Sequence, residues 1–139
     1  MKRQKKYIID LDGTLAQHDY GHSKKFDLYY IGDPIPGAVQ FVKKLASDGS
    51  KIVIFTRRMD FAYYELWTEK QQREIYNTIK DWLTKHGFPF DDIYDGQGKP
   101  DGTAFIDDRG VACRPQENAN AYEEAIAYIN KHILKEMKE

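Results

Sequence analysis

Tyr7-Ile8-Ile9-Asp10-Leu11-Asp12-Gly13 decides how the chain is read. Three apolar residues stop abruptly at two carboxylates and a glycine, the pattern of a buried central strand whose C-terminal tip carries polar groups. Downstream, Ala38, Phe41, Val42, Leu45 and Ala46 recur at helical spacing after Pro34 and Pro36 and before Gly49, which predicts an amphipathic helix. Lys51 to Phe55 is a continuous apolar run, expected to be a strand covered on both faces, and it ends in Thr56-Arg57-Arg58.

Thr68 and Gln71 have the spacing of a capping box, ahead of a helix whose apolar face is Ile75, Ile79, Trp82 and Leu83 and which stops at Gly87. Short strands are expected at Asp92 to Tyr94, at Thr103 to Ile106 ending in Asp107-Asp108-Arg109, and at Val111 to Cys113 as an edge. A last helix is expected from about Asn118 to the C-terminus, with Ala121, Tyr122, Ala125, Ile126, Ile129, Ile133 and Met137 on one side. Strands alternating with helices predict a three-layer α/β/α sandwich around a mainly parallel sheet. Neither an internal repeat nor a linker interrupts it, so one domain over 1–139 is expected.

Composition narrows the function classes. With 139 residues, 41% hydrophobic and 14% aromatic, the chain is able to bury one core. Its 21 basic and 22 acidic residues nearly cancel, so no global field draws in nucleic acid or a membrane surface, and an anionic substrate must be held locally. The N-terminal Met-Lys-Arg-Gln-Lys-Lys lacks the apolar run of a secretory signal, and no stretch reaches the roughly 20 apolar residues of a membrane span. A cytoplasmic protein with neither a membrane association nor an obligate protein partner is the expectation. Cys113, the single cysteine, has no disulfide partner in the chain and is expected to be a small buried filler.

In an open α/β sheet ligands bind outside the carboxyl ends of the strands, so Asp10 and Asp12, Thr56, and Asp107 and Asp108 are expected to converge, with Lys99 just ahead of the last strand. Carboxylates crowded there would repel by roughly 4 kcal/mol per close pair at an effective dielectric near 20. A divalent cation relieves that cost. Oxygen ligands without a His or Cys set favour magnesium over zinc.

Ile8-Ile9-Asp10-Leu11-Asp12-Gly13-Thr14-Leu15 resembles the first signature of the haloacid dehalogenase (HAD) superfamily, Ile54-Phe55-Thr56 the second and Phe105-Ile106-Asp107-Asp108 the fourth. Lys99 stands where the third is expected. The resemblance implies that Asp10 attacks phosphorus to form an aspartyl phosphate, while Asp12 acts as general acid and then base. It also implies that Thr56 offers a hydroxyl and Lys99 a positive charge to the phosphoryl group. Magnesium would be held by the Asp10 carboxylate, the Asp12 backbone carbonyl and the Asp107/Asp108 pair. The sequence does not separate Asp107 from Asp108 as direct ligand, with a slight preference for Asp108. Gly13 would let the chain turn away from the strand tip.

Arg57, Arg58 and Arg109 are candidates to clamp a second phosphate or a base, with an internal ion pair the competing reading for Arg109. His18, His22, Tyr20, Tyr29 and Tyr30 fall where HAD proteins place a small flap, either lining the entrance or covering the sheet edge. The aromatic run Phe61 to Trp67 is able to stack a base, although packing on the core is the preferred reading. About twenty residues separate the first motif from Pro34, and the Thr68 helix takes up most of the second interval, which leaves no room for a cap domain. Capless relatives have open sites, which suit large substrates such as phosphorylated nucleic-acid ends or proteins, although some act on small molecules. A nucleotide or a nucleic-acid 3′-phosphate end is the expectation, and Asp-Asp-Arg resembles the phosphatase domain of bacteriophage polynucleotide kinases. Two other classes compete: a receiver-like phosphoacceptor domain, whose acidic pair would come first and its phosphoacceptor later, and a catalytically silent HAD-like binding module.

Overall fold

The computed structural model describes residues 4–20, 25–96 and 98–137. The chain divides into two compact units, Met1–Asp108 and Arg109–Glu139. In the first, strands β1 (Lys6–Ile9), β2 (Lys51–Ile54), β3 (Asp92–Ile93) and β4 (Ala104–Ile106) form a four-stranded sheet in the order β3-β2-β1-β4. Every pairing is parallel. Helix α1 (Ala38–Ala46) links β1 to β2, and α2 (Glu69–Lys85) links β2 to β3.

Register sorts the side chains. Ile9 lies opposite Ile54 and Ile106, and Ile54 opposite Ile93, so these four share one face with Tyr7 and Ile52. That face is the core, where Ala38 and Val42 of α1 and Ile75, Ile79, Trp82 and Leu83 of α2 close over it. Both helices land on the same side because β1, β2 and β3 step across the sheet in one direction, and right-handed crossovers then stay on one face. The other face carries Ile8 and Val53, both buried, and Phe105, which is exposed. Gly102 passes so close to Ile8 that a Cβ would collide with its side chain.

The expected capping box is formed: the Thr68 hydroxyl accepts from the Gln71 N–H at 3.1 Å, and the Gln71 side chain accepts from the Thr68 N–H at 3.3 Å. Trp82 stacks on Phe88 with ring centroids 5.2 Å apart and donates its indole N–H to the Gly32 carbonyl at 3.0 Å, which ties the segment after β1 to α2. That segment is pinned at its two ends by an antiparallel bridge between Ala16 and Pro34. Among the described residues it contains no further helix or strand, and the stretch between β2 and α2 contains only a 3₁₀ turn (Arg57–Met59), so no cap domain is inserted.

The second unit departs from the expectation. Val111 to Cys113 is irregular, and Cys113 is exposed rather than buried. Its short apolar run pairs with no strand, so no ladder satisfies the backbone there. Helix α3 (Ala121–Tyr128) gives way to a π-helical turn at Ile129–Ile133 and a 3₁₀ turn at Leu134–Met137. Of α3 only Ala121 is buried, whereas Tyr122 and Ile126 of the predicted apolar side are exposed. A unit with a single run of helix holds no second element on which such a stripe closes. The side chain of Met137 lies outside the described residues.

Among the described residues no helix is long and apolar enough to cross a membrane. The core of the first unit should respond as a packed interior does. Ile79→Ala, at a fully buried site, is expected to cost about 3 kcal/mol, read as a lower urea midpoint with an unchanged slope.

Candidate active site

The order β3-β2-β1-β4 places the chain's first strand between its second and its last. Connections leave β1 toward β2 and return to β4 on its other side, so the crevice between the tips of β1 and β4 is the switch point of the sheet. The Asp10 N–H donates to the Ile106 carbonyl at 2.9 Å, which sets Asp10 beside the end of β4. Beyond it the loop folds on itself: the N–H groups of Leu15 and Ala16 converge on the Leu11 carbonyl, and Gly13 donates to Ala16. Gly13 adopts φ 84°, and a Cβ there would strike the Asp108 carboxylate and the Tyr20 hydroxyl. A glycine is therefore required on both counts.

Asp10 and Asp108 lie within hydrogen-bonding reach of each other. Burial raises the Asp10 carboxyl to about 7, the carboxylates of Asp108 and Asp12 push the same way, and the Leu11 N–H, donating to Oδ1 at 2.8 Å, opposes them. Tyr20 donates its hydroxyl to Oδ2 of Asp108 in a short hydrogen bond. Its own backbone is left-handed, φ 57°, a conformation non-glycine residues adopt at a cost of roughly 1–3 kcal/mol. Asp107 is exposed, whereas Asp108 is half-buried and turned to Asp10.

Asp12 points elsewhere. Its two carboxylate oxygens accept a fork from Arg58, Nε to Oδ2 and Nη2 to Oδ1, both at 2.8 Å. The remaining guanidinium hydrogens reach the backbone carbonyls of Asp27 at 3.2 Å, Leu28 at 2.9 Å and Tyr30 at 2.9 Å. Phe26 covers the guanidinium at 4.7 Å from its ring centroid. Arg58 is 2% exposed and every donor is used, so it does not clamp a phosphate as expected; it fastens the flap carbonyls to Asp12. Sequence reasoning missed this because an Arg pair after a strand tip reads the same whether it faces a ligand or a carboxylate. The Asp108 partner of Tyr20 was equally invisible, since 88 residues separate them.

Thr56 is buried at the end of β2 and caps the 3₁₀ turn, its hydroxyl oxygen accepting from the Arg58 N–H at 3.2 Å. The hydroxyl proton remains free to be given to another acceptor. Lys99 is exposed and holds its ammonium over the Phe105 ring, 4.3 Å from the centroid, on the sheet face opposite the core. Arg57 lies over the Tyr63 ring at 5.3 Å. Arg109 opens the second unit. In the flap, His18 meets Tyr20 edge-on, Tyr29 and Tyr30 are exposed, and His22 lies outside the described residues. A cleft of about 640 Å³ opens beside Arg58 among His18, Phe26, Tyr30 and Asp33, and neither Asp10 nor Asp108 lines it.

Among the described residues no three His, Cys, Asp and Glu side chains form a ready metal cage. The Asp12 carboxylate is held by Arg58 and Asp107 is exposed, so Asp10 and Asp108 are the two carboxylates that meet at the strand tips. Two carboxylates and a backbone carbonyl suit magnesium, which keeps several waters and rarely takes an all-protein cage. Burial first, and the carboxylates of Asp108 and Asp12 after it, disfavour a bare charge on Asp10, which a bound cation would offset. The donor set thus fits a hard divalent cation.

A parallel sheet whose central strand ends in Asp-Leu-Asp-Gly-Thr, flanked by strands ending in Thr56 and in Asp107-Asp108, is a HAD-like fold without a cap. Among solved structures, the crystal structure of a structural-genomics target from Vibrio cholerae is 32% identical, with 92% of this chain and 98% of that one covered and a TM-score of 0.51. A conserved Bacteroides thetaiotaomicron protein is 21% identical over 99% of both chains, with a TM-score of 0.50. The D,D-heptose 1,7-bisphosphate phosphatase of B. bronchiseptica, solved with magnesium and phosphate, is 21% identical over 90% of this chain and 64% of that one. Its TM-score of 0.45 is too loose an overlap to lay one site on the other. No family model matches the sequence, and no curated protein does. The chain belongs to one family with the Vibrio cholerae protein, and its ordered motifs and parallel sheet resemble those of the HAD superfamily.

Two outcomes follow from this geometry. Arg58→Ala leaves Asp12 and three flap carbonyls unpartnered and is expected to cost about 3–5 kcal/mol in chemical denaturation. Arg58→Lys, which lacks the fork, should recover only part of it. The Asp10 carboxyl is raised from 3.8 to about 7 on folding, so its protonated form supports the fold. In metal-free protein that contribution is complete below pH 3.8 and lost as the pH rises through about 7. Across this range the melting temperature of the parent should fall with pH relative to that of Asp10→Asn, which lacks the titrating group.

Proposed function

We propose that the protein is a magnesium-dependent phosphomonoester hydrolase with Asp10 as covalent nucleophile. The observation that carries the reading is the meeting of Asp10 and Asp108 at the β1/β4 switch point, with the Thr56 hydroxyl at the adjacent strand tip.

In the first half-reaction an Asp10 carboxylate oxygen bonds to phosphorus as the phosphorus–oxygen bond to the leaving group breaks. Asp12, after giving up one Arg58 hydrogen bond and taking a proton from solvent on the freed oxygen, passes that proton to the departing oxygen. In the second, Asp12 takes a proton from water, the water oxygen bonds to phosphorus, and the Asp10–phosphorus bond breaks to release inorganic phosphate. Splitting the displacement this way replaces one difficult step by two easier ones.

The neighbouring residues have separate tasks. Arg58 orients Asp12, which must exchange one of its two guanidinium hydrogen bonds for the leaving oxygen. Thr56 donates its hydroxyl to a phosphoryl oxygen. Lys99, on a long exposed side chain now resting on Phe105, swings its charge to the bound phosphate. Asp10, the Asp12 carbonyl and Asp108, the half-buried member of its pair, would hold the magnesium, with Asp107 at the exposed rim. When bound, the metal neutralises negative charge on the phosphoryl group and holds Asp10 ionised. With no cap inserted, the substrate is either a small phosphorylated molecule or a nucleic-acid end, and Arg57 is a candidate to touch its remote portion.

Hydrolysis of an aryl phosphate with and without magnesium tests the reading. The parent should turn over only with metal, and Asp10→Asn should lower kcat by at least about a thousandfold. Magnesium should also raise the parent's melting temperature at neutral pH and leave that of Asp10→Asn nearly unmoved. A well-folded parent that neither hydrolyses any ester nor is stabilised by magnesium would instead be a silent binding module.

A further inference from the structure

Past Thr56 the chain carries rings that the core does not absorb. In the run expected to pack inward, only Phe61 and Leu66 lie against the core. Tyr63 is 63% exposed and Trp67 is 70% exposed. The preference for a core cluster is therefore corrected: the segment divides, with Phe61 and Leu66 partly buried against the core and the rings of Tyr63 and Trp67 left in water.

Tyr63 is linked to Asp12 through a series of side-chain contacts. The Arg57 guanidinium lies 5.3 Å from the Tyr63 centroid, and Tyr63 meets Tyr64 edge-on at 4.9 Å. Tyr64 stacks on Phe26 at 6.0 Å with planes 24° apart, and Phe26 in turn covers Arg58, whose fork holds Asp12. An unbroken line of side chains thus runs from Asp12 out to the open ring of Tyr63. Between Tyr64 and Trp67, Glu65 takes a left-handed φ of 56°. Backbone strain of this kind persists where surrounding structure overdetermines it.

An exposed aromatic ring backed by the guanidinium of Arg57, the residue directly after Thr56, matches one kind of ligand. Rings recognise planar π-faces, and a guanidinium both stacks on a base and attracts the phosphate attached to it. We infer that Tyr63, with Arg57 and Trp67, forms a stacking platform for the base of a nucleobase-bearing phosphomonoester. The inference rests on the reading of Asp10 as phosphoryl acceptor and narrows its substrate class.

The test compares kcat/KM for adenosine 3′-monophosphate and adenosine 5′-monophosphate, a 3′-phosphorylated trinucleotide and glycerol phosphate. Tyr63→Ala is expected to lower the ratio of nucleotide to glycerol phosphate by roughly five- to a hundredfold, and Tyr63→Phe, which keeps the ring, to hold it within about twofold. An unchanged ratio in Tyr63→Ala overturns the platform. Whichever of mononucleotide and trinucleotide gives the higher kcat/KM identifies the source of the base, and a preference for either over glycerol phosphate supports the platform.

A second arm reads stacking without chemistry. Asp10→Asn in EDTA is titrated with adenosine, which carries a base and no phosphate, while tryptophan emission is followed. Quenching that disappears in Trp67→Phe supports the platform, even where no ester is hydrolysed and the phosphatase reading fails. Glycerol phosphate turnover with neither a ratio change nor quenching overturns the platform and leaves the phosphatase reading standing.

Discussion

Two carboxyl groups held against each other at the tips of neighbouring parallel strands are the constraint around which the rest is arranged. Asp10 and Asp108 are adjacent because β1 pairs with β4 in a register that aligns Ile9 with Ile106, and both strands then stop. Burial denies the pair the water that would screen it, so the site holds a proton up to about pH 7 unless a cation takes its place. The surroundings serve this arrangement directly. Gly13 lacks the Cβ that would push Asp108 away, the Leu11 N–H steadies Asp10, and Tyr20 accepts a strained backbone to reach Asp108.

The second constraint is a buried cation that never meets solvent. Arg58 spends all its hydrogens on Asp12 and on three carbonyls of the flap, so the loop after β1 and the first motif move as one. In a chain with no cap, this gives the flap a fixed attachment at a residue next to the nucleophile. It also removes one carboxylate from the acidic cluster. The result is a site poorer in free negative charge than four aspartates at strand tips imply, and better matched to a cation that keeps its waters.

Much of this was legible before any coordinates. Alternating apolar runs and helical periodicities place β1, α1, β2, α2 and β4, and the Thr68/Gln71 spacing places the start of α2, because those signals depend on neighbours a few residues apart. The tail was misread for the complementary reason. Ala121, Tyr122, Ala125 and Ile126 keep a helical period, yet burial needs a second surface, and Tyr122 and Ile126 have none within their unit. Val111 to Cys113 is apolar enough for a strand and has no strand to pair with.

By itself, then, the order of residues determined the class of fold, the ends of the strands and the identity of the acidic and hydroxyl groups set there. Periodicity and chain connectivity are local properties, and parallel strands leave no choice about which tips share an edge. Only the tertiary structure decided how those groups divide their work: Asp108 rather than Asp107 turned to Asp10, Asp12 gripped by Arg58, Lys99 resting on Phe105, Tyr63 and Trp67 left facing water. Each of these depends on which side chain comes within hydrogen-bonding or stacking distance of another dozens of residues away. A carboxylate or a guanidinium carries the same charge in sequence whether its partner is a ligand, a metal or the protein itself.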